Sequence, residues 1–484
     1  MSHPLLNAPI GRSLFRLAGP TTAVMVVQIG VAVSEAWIVA QVGIDALAAI
    51  ALVIPFITLM MNMANGGMGG GVASALARAL GGGRAEDAKA LLLHALMLAA
   101  AMALLFGVFA WTALPSVFRW LGGTGDVLHQ ALAFSYVWFS GAILLWIQPF
   151  LSALLRGGGN AATPSRVGVV MALVYIPLLA VLTLGIGGWP GLGLVGCAIA
   201  PLITGTVASL LLVRAIARGR LGFLPKLKGV RLQPRLFAEI LRVGAMGSVT
   251  TVTATMTAML VTGLVGRFGT AALAGYSIGM RLEFMVAPLA FGIGTGATTL
   301  VGIAAGAHDW RRAMRVAWVA GLTASAAIGM IGWTIALMPE TWSRLFATQP
   351  EVIAGSIACI VRVAPFYCLF GLGLTLNFAC QGAGRMTVPV VASISRLAIA
   401  AGGLVRHRAP VARPRRRVRR DWREPHRLWR LDCRQPAFGP VAVEDLIAVC
   451  LRPESPCRSR HAGINRPALF TRAPRAGRGT GIYL

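Results

Sequence analysis

Long apolar stretches, separated by short polar or basic segments, recur along residues 17–404. Most are close to the twenty or so residues that an α-helix needs to cross the hydrocarbon core of a bilayer. The pattern predicts ten full spans and an eleventh that begins near 388 and stops at Leu404. The ten predicted spans are 17–41, 45–71, 88–113, 131–155, 166–188, 192–217, 240–266, 272–298, 313–338 and 355–380.

Two halves of the chain resemble each other at a constant spacing. GMGGGVASALARALGGGRAEDA at 67–88 matches GIGTGATTLVGIAAGAHDWRRA at 292–313, 225 positions later, and VGIDALAAIA at 42–51 matches 268–277, 226 positions later. So long a period indicates a duplicated membrane domain and not a solenoid. Each half has an even number of spans, so both enter the membrane in the same sense. We therefore expect two lobes related by a rotation about the membrane normal, with Val42 opposite Phe268 and Pro164 opposite Pro389.

Composition places the chain in lipid, because 56% of its residues are apolar, only 12% are charged and its mean hydropathy is +0.73. Basic residues concentrate in the connections on one side of the predicted spans, and such connections are usually cytoplasmic. This pattern predicts a multi-pass membrane protein with a cytoplasmic N-terminus. The basic residues counted for that side include Arg12, Arg16, Arg78, Arg84, Lys89, Arg156, Arg166, Arg311, Arg312, Arg315 and Arg385.

The last part of the chain has a different composition. Residues 405–484 hold 19 Arg, no Lys and 6 Asp+Glu, including the basic run Arg413–Arg420. No stacking aromatics or nucleic-acid fold accompany this charge, so we expect no nucleic-acid partner. We expect instead a solvated tail outside the membrane. An out-of-frame reading of GC-rich DNA would give such a composition. The predicted domains are an N-terminal lobe at 1–218, a cytoplasmic linker at 219–238, a C-terminal lobe at 239–404 and the tail at 405–484.

Carboxylates inside the spans are the sharpest chemical signal, because a charge at the bilayer centre costs several kcal/mol unless it lines a cavity or is neutralised. Only Glu35 in span one and Glu283 in span eight lie deep. Glu35 has no basic residue within a helical turn, which predicts proton uptake and release there. Glu283 is two residues from Arg281, a spacing that directs the side chains to different faces of a helix. Glu283 therefore either lines the cavity or pairs across helices.

Neutral polar residues and glycines inside the spans are weaker candidates. Gln28, Asn62, Gln148 and Asn377 can line a cavity or join neighbouring helices by hydrogen bonds. Gly69, Gly71, Gly294 and Gly296 close spans two and eight, where they allow either close helix packing or flexible helix ends. We expect no metal site beyond Na⁺ at Glu35, and no cofactor.

At these residues the chain resembles the multidrug and toxic compound extrusion (MATE) transporters. The matching features are the two halves, the stretch from Glu35 to Gly43 followed by Asp45-Ala46-Leu47-Ala48-Ala49, the Ala77-Arg78-Ala79-Leu80-Gly81 exit from span two, and Val301-Gly302 leading to Ala305-Gly306-Ala307. The resemblance covers roughly residues 10–404.

The resemblance implies an all-α polytopic membrane protein with two parallel-repeat six-helix lobes around a central cavity. It also implies export of organic cations, drugs or other amphipathic small molecules in exchange for H⁺ or Na⁺. The chain departs from the usual pattern in having Glu35-Ala36 where many members have Asp-Thr, and Leu179-Ala180 where an Asp-Pro often stands. The Arg- and Pro-rich ending makes the second lobe incomplete.

The sequence thus predicts a cation-coupled antiporter of the bacterial inner membrane, a monomer and not an enzyme, with Glu35 as its coupling residue. A lipid-linked oligosaccharide flippase of related build is one alternative, although such a protein should line its cavity with several Arg and Lys, and here only Arg281 is counted as deep. An inactive, truncated membrane protein without transport activity is the other.

Overall fold

The computed structural model describes residues 4–223, 231–267 and 269–406. Within them the chain is helical, and its extended structure is limited to one isolated bridge between Ile186 and Trp189. The predicted tail at 405–484 lies outside the described residues, apart from the end of the last helix. So does Phe268, and with it the predicted pairing of Val42 with Phe268.

The first repeat is built from nine helices joined by short connections. They are α1 (Ile10–Val42), α2 (Ile44–Asn62), α3 (Gly69–Gly81), α4 (Ala85–Thr112), α5 (Leu114–Trp120), α6 (Gly125–Ser140), α7 (Ala142–Gly157), α8 (Ala162–Leu184) and α9 (Leu194–Ala217). A π-helical turn at Met63–Met68 joins α2 to α3. Helices α6 and α7 form one span that bends by 50°.

The second repeat follows the same order. Its helices are α10 (Pro234–Gly266), α11 (Thr270–Gly306), α12 (Trp310–Leu337), α13 (Pro339–Arg344), α14 (Pro350–Val363), α15 (Tyr367–Ala383) and α16 (Thr387–Arg406). A 3₁₀ turn at Ala364–Phe366 joins α14 to α15 within one span.

The number of spans agrees with the prediction. Nine helical segments of the described chain are long and apolar enough to cross a membrane, the bent α6–α7 pair makes ten, and Thr387–Gly402 is a shorter apolar helix at the eleventh position. The fold is an all-α polytopic membrane protein with two repeats.

Several predicted span ends were wrong. The second span continues past Gly71 to Gly81, and the eighth continues past residue 298 to Gly306. Glycines usually weaken helices, but here they let helices approach closely, so the helices continue through them.

Contacts between the repeats have the signature of a two-fold rotation. A Cβ on Gly81 would meet the backbone of Ile303, and a Cβ on Gly306 would meet the backbone of Arg78. Positions 81 and 306, like 78 and 303, are related by the 225-residue offset. Each repeat therefore uses the same pair of positions to contact the other repeat. Such an interface is isologous, as a two-fold axis requires.

The same reciprocity holds one helix further out. Gly67 lies against Ser248 of α10, and Gly292 lies against Thr22 of α1. Helix α1 therefore packs on the second repeat as α10 packs on the first. This arrangement confirms the two-lobe architecture that the internal repeat predicts.

Hydrogen bonds and ion pairs between the repeats lie, within the described chain, at the end that carries the basic connections. Arg84 Nη1 is 3.0 Å from Glu239 Oε1, and Arg235 Nη2 is 2.6 Å from Asp87 Oδ2. The lobes are thus joined at the basic end. The division into domains at 218, 238 and 404 remains a prediction.

Candidate functional site

Glu35 lies in the C-terminal half of α1, where this helix packs on α8. The hydroxyl of Tyr175 on α8 lies close enough to the Glu35 carboxylate to donate a hydrogen bond. Glu35 is partly buried, and Tyr175 is 8% exposed. The aromatic ring belongs to the apolar core of the first repeat, while its hydroxyl is directed to the carboxylate, an arrangement common for buried tyrosines.

A second pair of polar groups adjoins this site. Thr183 Oγ1 of α8 and Cys197 Sγ of α9 are 3.2 Å apart, and Cys197 lies close to Glu35. Glu35 is thus surrounded by α1, α8 and α9 of its own repeat. Within the described residues, no group of three or more His, Cys, Asp or Glu could hold a metal ion. The oxygens of Glu35 and Tyr175 are the ligands that a bound cation would meet first.

Glu283 occupies a separate site in the second repeat. It is partly buried on α11, and the charged group that acts on it is Arg396 of α16. Arg281 lies elsewhere, with its guanidinium carbon 4.8 Å from the centre of the Phe346 ring. The expectation that Glu283 and Arg281 do not neutralise each other therefore agrees with the geometry.

Arg281 also lines a groove of about 510 Å³ beside the connection that follows α13. Glu35 and Glu283 share no interacting group among the described residues. The structure thus places one of the two candidate carboxylates within the spans of each repeat.

The four neutral polar candidates have no hydrogen bond to another described residue. Gln28 and Asn62 are exposed, whereas Gln148 and Asn377 are partly buried. The structure therefore gives no support to a role for these side chains in joining neighbouring helices by hydrogen bonds. Side chains without such partners are available to line a cavity. Their role as cavity residues remains a prediction.

The four glycine candidates lie inside helices and in close packing. A Cβ on Gly71 would meet the backbone of Gly244, one on Gly294 would meet the ring of Phe378, and one on Gly296 would be 3.3 Å from Leu14. Gly69 is buried, beside Ala153 of α7. Close packing therefore explains why glycine occupies these positions. A contribution of these glycines to helix flexibility stays a prediction.

Three residues at the junction of the repeats were missed as site residues. Gln381 of α15 is 2% exposed, and its side-chain amide donates to the carbonyls of Gly66 and Gly67, at 2.9 and 3.3 Å. Ser74 Oγ donates to the Gln381 carbonyl at 2.5 Å and accepts a hydrogen bond from Arg78. In sequence, Gln381 is recognisable only as the repeat partner of Arg156.

A matching hydrogen bond joins the repeats on the other side of the two-fold axis. Thr299 Oγ1 donates to the carbonyl of Arg156 at 3.0 Å. Ser74 and Thr299 are related by the 225-residue offset, as are Arg156 and Gln381. The two hydroxyls therefore form a symmetric pair of hydrogen bonds across the closure.

The sequence interpretation of the arginines needs correction. Arg78 and Arg156 were counted as loop residues, but they lie in α3 and α7, partly buried where the repeats meet. Arg281 is not the only deep arginine either, because Arg396 lies within α16. Basic residues near a helix end look like loop residues when the helix is assumed to end too early.

Comparison with known proteins agrees with this architecture. The family model described as MatE matches residues 20–181 and 248–402. The chain belongs to this family of membrane transporters, whose known members are transporters and not enzymes. The two matched blocks fall on the two repeats.

Two relatives are similar to this chain over most of their length. A probable multidrug resistance protein NorM of Deinococcus radiodurans is 30% identical over 410 residues, which is 79% of this chain and 85% of the relative. An FAD transporter of Shewanella oneidensis is 26% identical over 388 residues, covering 78% of this chain and 83% of the relative.

Among solved structures, an outward-facing conformation of a multidrug resistance MATE family transporter superposes with a TM-score of 0.75. Its sequence identity is 22%, and the match covers 82% of this chain and 89% of that one. This similarity extends the agreement to the fold.

Proposed function

We propose that this protein is a cation-coupled antiporter of the bacterial inner membrane that exports amphipathic small molecules, among them organic cations and drugs. The observation that carries the proposal is Glu35, a membrane-embedded carboxylate whose partner is the hydroxyl of Tyr175 and not a basic side chain. A carboxylate without a fixed counter-charge binds a mobile cation, because neutralisation removes the penalty for a buried charge.

The coupling cation is H⁺ or Na⁺, and the geometry favours H⁺. One carboxylate with one hydroxyl partner suffices to hold a proton. Na⁺ would require further oxygen ligands from water or backbone, since hard cations take several oxygens. Binding of the cation closes the site around Glu35, and a solute then leaves or enters the cavity in alternation with it.

Orientation follows from the basic connections. With the basic end in the cytoplasm, the closure between the repeats is cytoplasmic and the cavity opens outward. The N-terminus is then cytoplasmic, and the protein acts as a monomer because each chain contains both lobes. Glu283 provides a second negative site for a cationic solute. The lobes are residues 1–218 and 239–404, with 219–238 as their cytoplasmic linker.

Transport by proteoliposomes tests this function. The 484-residue chain is reconstituted, an inward H⁺ or Na⁺ gradient is applied to one set of vesicles at a time, and efflux of ethidium and of FAD is followed. We expect gradient-dependent efflux of at least one probe, its loss in Glu35→Gln and its partial retention in Glu35→Asp. Asp45→Asn, at the start of α2, is the control for removal of a carboxylate. Normal gradient-driven efflux by Glu35→Gln would show that coupling lies elsewhere, and absence of efflux by the unaltered chain would favour an inactive membrane protein.

A further inference from the structure

A small notch opens where the two repeats meet, at the inner end of the central cavity. It has a volume of about 10 Å³ and is lined by Asn65, Gly69, Gly70, Ala73, Arg156, Thr295, Thr298, Phe378 and Gln381, so both repeats contribute to it. Asn62, one turn from Asn65 toward the open end, is exposed, and a Cβ on Gly66 would meet open space. The notch is therefore continuous with the space between the lobes.

The one charged side chain among these lining residues is Arg156. No charged group acts on its guanidinium within the described part of the chain, and its hydrogen bond to Thr299 is made by its backbone carbonyl. The guanidinium itself has no hydrogen bond or ion pair to a described residue. A cation withdrawn from bulk water without a counter-ion is costly, so this position favours an anion supplied from outside the protein.

The internal repeat shows how the unpaired cation arises. Gln381, the equivalent of Arg156, places its amide against Gly70 and binds the carbonyls of the π-helical turn. The equivalent of Gly70 is Thr295, which lines the same notch as Arg156 and has a side chain where a glycine leaves room for the Gln381 amide. Arg156 therefore cannot copy the position of Gln381. The two-fold symmetry is broken at this point, and the break leaves a cation facing the cavity.

We propose that Arg156 binds the phosphate or carboxylate group of an amphipathic solute that enters the central cavity. This inference rests on the proposed transport function and adds to its substrates molecules that carry negative charge beside an apolar part. The planar guanidinium suits phosphate and carboxylate, both of which accept paired N–H hydrogen bonds. Asn65 and Thr295 supply neutral polar groups at the edge of the same notch.

The size of the notch agrees with this ligand chemistry. An opening of about 10 Å³ is close to the smallest that holds one water molecule. It admits one oxygen of an anionic group, while the other oxygens and the apolar part of the solute stay outside the notch. Phe378 at the notch provides an aromatic face for that apolar part.

Two flavins that differ by one phosphate test the proposal: riboflavin and riboflavin 5′-phosphate. The 484-residue chain in phosphatidylcholine nanodiscs is titrated into each, and binding is measured by flavin fluorescence anisotropy. Charge-assisted hydrogen bonds predict that the phosphorylated flavin binds about tenfold more tightly. Arg156→Gln should remove this preference, so that the two flavins bind with equal affinity, whereas Arg156→Lys should keep part of the preference.

Arg166→Gln is the matched control, because it removes one exposed arginine from α8. It should keep the tenfold preference, and an equal thermal melting temperature establishes that each variant is folded. Failure of the phosphorylated flavin to bind, equal binding of the two flavins, or an unchanged preference in Arg156→Gln would overturn the proposal.

A lipid headgroup offers the same chemistry, so a second set of nanodiscs contains phosphatidylglycerol. If this lipid abolishes the phosphate preference of the unaltered chain, the site belongs to a lipid and the solute proposal is wrong. Equilibrium binding needs no coupling ion. The binding test of Arg156 can therefore succeed even if the Glu35 efflux experiment fails. The efflux experiment can likewise succeed if the binding test fails.

Discussion

At the scale of single residues, two hydroxyl groups contribute hydrogen bonds to the closure between the repeats. Ser74 and Thr299 each donate one hydrogen bond to a carbonyl of the other repeat. These bonds must break whenever the basic end opens during transport. They therefore stabilise the closed end by an amount that single substitutions can measure.

Thr299→Val removes one of these hydrogen bonds while keeping the shape of the side chain. We expect the closed form to lose about 1 kcal/mol, since that is a typical net contribution of one hydrogen bond. Alkylation of buried Cys380, measured by mass spectrometry with a membrane-permeant maleimide, should then become about fivefold faster. The control is Thr206→Val, whose hydroxyl bonds only within its own helix, to the carbonyl of Leu202. Equal rates of Cys380 alkylation in the two variants would show that the Thr299 hydroxyl does not stabilise the closed end.

The residue scale is also where sequence reasoning was weakest. Glu35 was identifiable because a lone carboxylate in an apolar span is rare. Tyr175 and Gln381 were not, because a tyrosine or glutamine in a span is compatible with ordinary packing, and only the fold brings them to their partners. The arginine positions failed for a related reason, since hydropathy alone cannot tell a buried helix end from a loop.

At the scale of helices, the repeats approach through glycines on α3 and α11. A Cβ added to Gly71 of α3 would meet the backbone of Gly244 in α10, whereas a Cβ added to its equivalent Gly296 would lie 3.3 and 3.4 Å from the Leu14 and Leu17 side chains. A backbone cannot yield as a side chain can. The two halves of the interface therefore differ in their tolerance of added bulk.

Gly71→Ala should lower the melting temperature by several degrees, because overpacking of a well-packed contact costs about 1–3 kcal/mol. Gly296→Ala should have a smaller effect, since its neighbours are side-chain atoms and a helical backbone nitrogen. Gly19→Ala in α1 is the control, because its Cβ would meet open space. Thermal unfolding in detergent, followed by size-exclusion fluorescence, gives the ranking. A Gly71→Ala protein as stable as Gly19→Ala would contradict the close contact with α10.

Element order and number followed from the sequence because hydrophobic length and the internal repeat are properties of whole segments. The ends of elements did not. The π-helical turn at Met63–Met68 and the 50° bend between α6 and α7 depend on neighbouring helices. Local patterns do not contain that information.

At the scale of the whole molecule, the orientation of the chain decides which way the cavity faces. The basic connections predict a cytoplasmic closed end. Thr124→Cys, between α5 and α6, should then react in intact cells with a membrane-impermeant maleimide, and Arg311→Cys should react only after the cells are opened. Both positions are exposed in the structure. The unsubstituted chain measures the background labelling of its seven native cysteines. The opposite labelling pattern would show that the proposed orientation is wrong.

The central claim is that a cation and a solute exchange through one chain by way of Glu35. A gradient of solute alone tests it most directly. Proteoliposomes loaded with ethidium or riboflavin 5′-phosphate, without any ion gradient, are diluted into medium free of solute, and internal pH and Na⁺ are recorded with trapped indicators. We predict that solute efflux drives H⁺ or Na⁺ inward, and that Glu35→Gln abolishes this ion movement. Efflux of solute without ion movement in the unaltered chain, or ion movement that persists in Glu35→Gln, would contradict the account.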